Sequence, residues 1–318
     1  YESLAADDPV ETAVAEGRLA MYRLDEKSPE WATPALFLGV RDGKILKFRK
    51  ARPGAAPPRR APPSEKPYRI GIRSFTGPGS WGREEVDREL LLDTWFDGRA
   101  IRQPEFWQTK VFPELRDFLL EAAVERGPLI IDFAAHASIA FAAGYCLNAK
   151  SGLDITIGQR VLGARVEWRV VNAASPETPL WCVEPDRGGD PEARDVALAV
   201  GITRPVLDDV ELYLRQSGIG VHRILPATVS PEPGLTVVRD GVHALQLAQG
   251  LNSKIQKRTV HERGGWLHLF ASAPNAVLFF LGQLSRAYGR IQLYEHNLES
   301  SQPGSYSPSI QLPPDRAP

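Results

Sequence analysis

Short apolar runs alternate with amphipathic stretches through most of this chain. "YRIGIRSF" (68–75) and "LDITIGQR" (153–160) switch between apolar and polar with a period of two, the pattern of a strand with one buried face. "PLIIDFAA" (128–135) and "ARVEWRVVNA" (164–173) also read as strands. "REEVDRELLLDTW" (83–95) and "PEFWQTKVFPELRDFLLEAAVERG" (104–127) carry helical spacing. In the second of these Pro104 is a start signal, Pro113 a kink and Gly127 a stop. A helix of small and apolar residues runs from Ser138 to about Asn148. The second half repeats the alternation. "DVALAVGIT" (195–203), "GVHRILPAT" (220–228), "WLHLFASAP" (266–274) and "RIQLYEH" (290–296) are predicted strands. Between them lie predicted helices at 204–218 (N-cap Thr203), 241–258 (cap Asp240) and 275–289. Strands alternating with helices predict α/β architecture, with parallel-type sheets covered on both faces.

The pattern also repeats itself. Gly127 aligned on Gly265 puts Gly144 on Gly282 without a gap, and the offset, 265 − 127, is 138. Leu129 then matches Leu267, Ala135 matches Ala273 and Phe141 matches Phe279, while His136-Ala137-Ser138 falls on Pro274-Asn275-Ala276. Each copy follows the same order of strand, small-residue loop, apolar helix and strand. This predicts two pseudo-symmetric Rossmann-like halves in one chain. In open parallel sheets ligands bind beyond the carboxyl ends of the strands. "AAHAS" and "ASAPNA" both fall there. Small side chains let a ligand approach the backbone, and helix N-termini favour anions. Two such loops brought together would form a composite pocket suited to several phosphates.

Composition narrows the field. The 318 residues carry a net charge of −1, so no global basic field recruits duplex nucleic acid or an anionic membrane. No apolar run has the length of a membrane span and no secretory signal is visible, which gives a cytoplasmic expectation. The two cysteines, Cys146 and Cys182, read as buried thiols, and no zinc-finger-type metal site is expected. The first histidine is His136, which excludes His- or Cys-dependent nuclease and protease chemistry from the preceding 135 positions. The chain starts at Tyr1 and its sole methionine is Met21, so a further upstream segment is expected. The expected organisation is an N-terminal segment at 1–50, with a hairpin at 35–50, followed by a Pro/Arg-rich linker at 51–67. Two halves follow at 68–190 and 191–298, and a disordered tail at 299–318.

Three motifs bear on chemistry. His136 and Ser138 could be read as base and nucleophile, but they stand two residues apart and no G-x-S-x-G elbow is present. The competing readings are a Ser138 helix cap with a buried His136, or direct ligand contact. "TGPGSWG" (76–82) holds G-x-G-x-x-G between a strand and a predicted helix. Pro78 and Trp81 fill space a pyrophosphate would need, yet a NAD(P)-dependent oxidoreductase remains an alternative. Lys254, Lys257 and Arg258 share one helical face, either solvated or phosphate-binding. Trp168 and Trp181 belong to the core by default, or stack on a base.

"LIIDFAAHASIAFAAG", "DVALAVGITRPVLDDVELYL", "LHLFASAPNAVLFFLGQ" and "IQLYEHN" together resemble the SAVED sensor domain of CBASS and type III CRISPR antiviral effectors, over roughly residues 68–298. The resemblance implies two fused CARF-like halves and a cyclic oligonucleotide second messenger as ligand, cyclic tri- or tetra-adenylate favoured. It implies self-association on ligand binding, and activation of an effector (nuclease, TIR or protease) fused upstream or acting in trans. No effector is visible in this chain, so the expectation is a sensor without catalytic residues, cofactor or metal. A ring nuclease that cleaves its own ligand is the other alternative. The ligand-binding expectation covers three loops: His136, Ala137 and Ser138; Gly201, Ile202, Thr203 and Arg204; Ser272, Ala273, Pro274 and Asn275. Arg160, Arg204, Lys254 and Arg258 are expected on phosphate, and Trp168 or Trp181 on a base.

Overall fold

A computed structural model describes residues 66–75, 86–124, 127–149, 152–161, 164–170, 181–297 and 302–314. The hairpin at 35–50, nearly all of the 51–67 linker and the "TGPGSWG" loop lie outside the described residues. Residues from Pro62 onward form one compact unit.

The first half contains β1 (Tyr68–Arg73), β2 (Arg88–Leu91), the short hairpin β3 (Phe96–Asp97) and β4 (Ala100–Ile101), and α1 (Phe112–Ala122). It continues with β5 (Leu129–Ala134), α2 (Ala137–Cys146), β6 (Ile155–Val161) and β7 (Ala164–Arg169). Its sheet has the order β2-β1-β5-β6-β7, parallel except for β7. The second half contains β8 (Arg187–Gly188), β9 (Val196–Gly201), α3 (Leu207–Ser217), β10 (Arg223–Thr228), α4 (Gly241–Gln256) and α5 (Val260–Arg263). Then come β11 (Trp266–Ser272), α6 (Asn275–Leu284), β12 (Arg290–His296) and β13 (Tyr306–Leu312). The order there is β13-β12-β11-β9-β10-β8, with only the two edge strands antiparallel. Strands β2-β1-β5-β6 and β10-β9-β11-β12 thus repeat one arrangement, and α2 and α6 occupy the same place in each at the 138-residue offset.

The crossing of α2 and α6 carries the repeat into packing. A Cβ on Gly144 would fall on the Phe279 carbonyl, and one on Gly282 on the Phe141 carbonyl. The two contacts are reciprocal, as a pseudo-two-fold relation requires. Both helices are apolar on nearly every side, so they are buried all round rather than on one stripe. Inward residues of both sheets join them in one shared core, among them Ile70, Ile131, Leu198 and Leu269.

The outer faces differ. On the second sheet Phe270 stacks on Tyr294 at 4.1 Å, and α3 covers the pair with Val210, Tyr213 and Leu214. The position matching Phe270 in the first sheet is Asp132. Its Oδ1 accepts hydrogen bonds from Arg165 Nε at 2.9 Å and Nη2 at 2.8 Å, and Arg69 stands 3.6 Å from Oδ2. Arg165 and Arg69 both reach Glu167 as well, which holds that carboxyl below its ordinary range.

Several expectations are corrected. Residues 88–91 are a strand, not part of a helix, because pairing with β1 overrides local spacing. Asp87 accepts from Arg69 N at 2.8 Å, Glu89 pairs with Arg73, and Leu90 packs on the core. The 104–127 helix is split. Trp107–Val111 is a π-helical turn and α1 begins after it, with Pro113 in the first turn, where its missing N–H costs no hydrogen bond. Thr203 does not cap α3; its hydroxyl pairs with Ser272 Oγ at 2.6 Å, and Val206 holds the cap position. Asp240 does cap α4, accepting from His243 N at 2.8 Å. The expected tail contains β13, whose Ile310 and Leu312 are fully buried. Cys146 and Cys182 are free and half-buried, and burial pushes the Cys146 thiol up to about 12.

Candidate functional site

The carboxyl ends of the parallel strands converge from both halves on one cleft of about 190 Å³. After β5 the chain turns directly into α2 through Ala135-His136, and after β11 into α6 through Ala273-Pro274. Between β9 and β11 the connections leave to opposite sides, α3 to the outer face and α6 to the inner, which is the topological switch point where such sheets bind ligands. Ile202 N and Thr203 N both donate to Ser272 O, at 2.8 and 2.9 Å, and fix the two loop ends side by side. Asn275 Nδ2 reaches Ala135 O at 3.4 Å and ties the second half's loop to the first's.

Seven of the expected residues line this cleft: His136, Ala137, Thr203, Arg204, Ser272, Ala273 and Asn275. Gly201 and Ile202 support it from the core, and Pro274 is the N-cap residue of α6. Ser138 is buried as the second residue of α2. Its N–H donates to Glu295 Oε1 at 2.6 Å and its hydroxyl meets Ser309 Oγ at 2.5 Å. The cap position belongs to His136 instead.

The His136 imidazole is turned away from chemistry. Nε2 lies 2.9 Å from Arg99 O, and a carbonyl only accepts, so Nε2 carries the proton. Nδ1 then accepts from Ser74 Oγ at 2.6 Å, and Ser74 Oγ accepts from His136 N at 3.0 Å. Phe96 stacks on the ring at 4.5 Å, with Trp107 and Phe75 edge-on. Burial lowers the His136 pKa, consistent with this neutral tautomer. Ser138 is not its partner, so the His136–Ser138 pair does not form; the serine on the imidazole is the buried Ser74.

Among the described residues, the arginines lining the cleft are Arg99 and Arg204. Arg99 lies in the β3–β4 turn with its guanidinium 4.0 Å over Phe75, and Arg204 Nη1 stands 3.1 Å from Asp209 Oδ2. His296 lies 3.9 Å from the same Asp209 oxygen, its pKa lowered by burial and by Arg204. Behind it, burial pushes the Tyr306 hydroxyl up to about 12. Arg99, Glu295 and His296 escaped the sequence reading. Applying the strand-end rule to "IQLYEH" would have found the last two; nothing in the sequence marks Arg99.

The other expected residues lie elsewhere. Trp168 is buried, facing the core from β7 under Gly241, and cannot stack on a ligand. Arg258 is buried beyond the end of α4 and donates to the carbonyls of Ile255 and Tyr288, which is a structural role. Lys254 and Trp181 line a separate depression of about 360 Å³ with Arg223 and Asp186. There Trp181 Nε1 donates to Leu247 O at 3.2 Å, and Lys254 contacts Pro226 O and Asp186. Arg160 is exposed at the end of β6, opposite Arg165, outside the residues lining the cleft. Among the described residues no cluster of His, Cys, Asp and Glu suits a metal ion, and no helix is long and apolar enough to cross a membrane.

Residues 113–312 match the family described as the SMODS-associated and fused to various effectors sensor domain, SAVED. The chain belongs to the SAVED family. Its match begins within α1 and runs through the second half to β13, a strand that the sequence reading left out. CD-NTase-associated protein 4 of Enterobacter hormaechei is 28% identical over 244 residues, which are 76% of this SAVED chain and 48% of that protein. The chain therefore spans about half the length of this curated relative. Two solved structures share the fold. The Acinetobacter baumannii Cap4 SAVED/CARF-domain containing receptor with the cyclic trinucleotide 3'3'3'-cAAA has a TM-score of 0.52 at 18% identity, covering 76% of this chain and 51% of that one. The Moraxella osloensis Cap4 SAVED/CARF-domain containing receptor has a TM-score of 0.53 at 18% identity, covering 78% and 50%.

Proposed function

We propose that this SAVED chain is the sensor of a CBASS-type antiviral system and binds a cyclic oligonucleotide, cyclic tri-adenylate first among them, in the cleft between its halves. The observation that carries the reading is the convergence of three strand-end loops, from both halves, on one cleft with Arg99 and Arg204 at its rim. Two guanidiniums and the small-residue approach to the α6 N-terminus suit phosphates, and the cleft's other polar groups suit base edges. The A. baumannii receptor named with 3'3'3'-cAAA adds support from a shared fold. Binding then drives self-association and switches on an effector, fused upstream or acting in trans. The chain itself senses rather than cleaves, because His136 is locked in an aromatic cage and His296 is held by its neighbours.

Calorimetry with cyclic di-, tri- and tetranucleotides tests the reading. Micromolar or tighter binding to one of them is expected, weakened at least tenfold by Arg204→Ala, about 1.4 kcal/mol. Failure to bind any member contradicts it. Incubation of the bound ligand followed by chromatography is expected to return it uncut; linear product would favour the ring-nuclease alternative.

A further inference from the structure

Among the described residues lining the cleft, Glu295 does not suit an oligophosphate. Glu295 lies at the carboxyl end of β12, paired in register with Ser307 of β13, and its carboxylate faces the same cleft as Arg99 and Arg204. It is not a loose surface charge. Ser138 N–H, in the first turn of α2, donates to Oε1 at 2.6 Å, a charge-assisted bond aligned with the helix dipole. Ser138 is in turn fixed by Ser309, so the carboxylate is held from two strands and a helix. The anion site at the α2 N-terminus is thereby filled from within the chain. In the other half, the sheet register and the 138-residue offset put neutral Gln159 at the position of Glu295. The N-terminus of α2 therefore bonds a carboxylate from a strand position that carries a neutral amide in the other half.

A carboxylate only accepts hydrogen bonds. A phosphate against Glu295 would be repelled, whereas a base offering an N–H would be held. We propose, on the basis of the cyclic-oligonucleotide reading above, that Glu295 is a specificity-determining residue. It accepts from the exocyclic amine of one base, while Arg99 and Arg204 take phosphates. The ligand class is thus a cyclic oligonucleotide with an amino-bearing base at this position. One oxygen stays on Ser138 and holds the other in place, so the reading group is fixed before the ligand arrives.

The test compares cyclic tri-adenylate with the same ring built from unsubstituted purine, which keeps size, stacking and phosphates but lacks the amine. For the unaltered protein, calorimetry is expected to show the purine ring bound at least tenfold more weakly. In Glu295→Gln the side-chain oxygen stays on Ser138 N–H and the amide N–H₂ faces the cleft, a donor against a donor. The tenfold discrimination is expected to collapse, and a hypoxanthine ring, with an acceptor at the same position, to gain on the adenine ring. Loss of the negative charge or of the helix cap would change affinity for all three rings together, so their ratio isolates base reading. Equal binding of adenine and purine rings by the unaltered protein overturns the assignment, as does full discrimination retained in Glu295→Gln. Should that variant not fold, the comparison on the unaltered protein decides. Absence of binding to any ring refutes the sensor reading too, whereas binding without discrimination refutes this assignment alone.

Discussion

Substitution of either glycine at the α2–α6 crossing probes the pseudo-symmetric core. In an ordinary helix interior Gly→Ala stabilises by about 1 kcal/mol. At Gly144 the added methyl would meet the Phe279 carbonyl, with Gln283 N at 2.9 Å; at Gly282 it would meet the Phe141 carbonyl, with Tyr145 N at 3.0 Å. The blocking atoms are backbone, so relief requires the helices to part by on the order of 1 Å, which forfeits a quarter to a half of the facing dispersion contacts. Overpacking of this kind costs about 3 kcal/mol, and the propensity gain leaves a net loss of about 2 kcal/mol for each single variant. Once the first methyl has parted the helices the second finds part of the room it needs, so its overpacking falls to about 2 kcal/mol and Gly144→Ala/Gly282→Ala is expected to lose about 3 rather than 4 kcal/mol. Urea unfolding followed by circular dichroism measures all three. A single variant as stable as the parent, or more so, refutes the tight crossing; strict additivity refutes the shared axis.

Asp132→Ala leaves Arg165 and Arg69 without their buried carboxylate and is expected to cost about 3 kcal/mol by the same assay. Acidification should destabilise the fold. His136, His268 and His296 all have folded pKa values lowered chiefly by burial, so the unfolded chain binds more protons. Stability is then complete above the unfolded value near 6.5 and falls as pH drops below it, by up to about 1.4 kcal/mol per pH unit for each histidine that stays neutral. His136→Asn should flatten the pH dependence of the unfolding midpoint; an unchanged slope would show that His136 does not contribute. Lys254→Ala, outside the cleft, is expected to change ligand affinity less than twofold in the calorimetric titration that loses tenfold in Arg204→Ala.

Much of this arrangement was legible in the chain because it follows from periodicity and repetition. The 138-residue offset found α2 and α6, and the strand-end rule found two loops, at His136–Ser138 and Ser272–Asn275, that meet although they lie far apart in sequence; the third, at Gly201–Arg204, came with the family resemblance. What escaped depends on contacts between distant segments. β2 is a strand only because β1 and Asp87 recruit it, and β13 because β12 offers an edge. Arg258 read as part of a basic helical face, but α4 ends at Gln256 and the next turn carries Arg258 under the helix to the Tyr288 carbonyl. Trp168 looked like a stacking platform, but its strand points it inward under the start of α4. The Asp132 network and the Phe270–Tyr294 stack occupy equivalent positions with opposite chemistry, an asymmetry that no single-copy pattern announces.

The most direct test is an experimental structure of this chain with cyclic tri-adenylate. The ring is expected in the cleft at the ends of β5, β9, β11 and β12, with phosphates on Arg99 and Arg204 and a base amine on Glu295. A ring seated instead in the depression between Trp181 and Lys254, with the cleft unchanged, would contradict it.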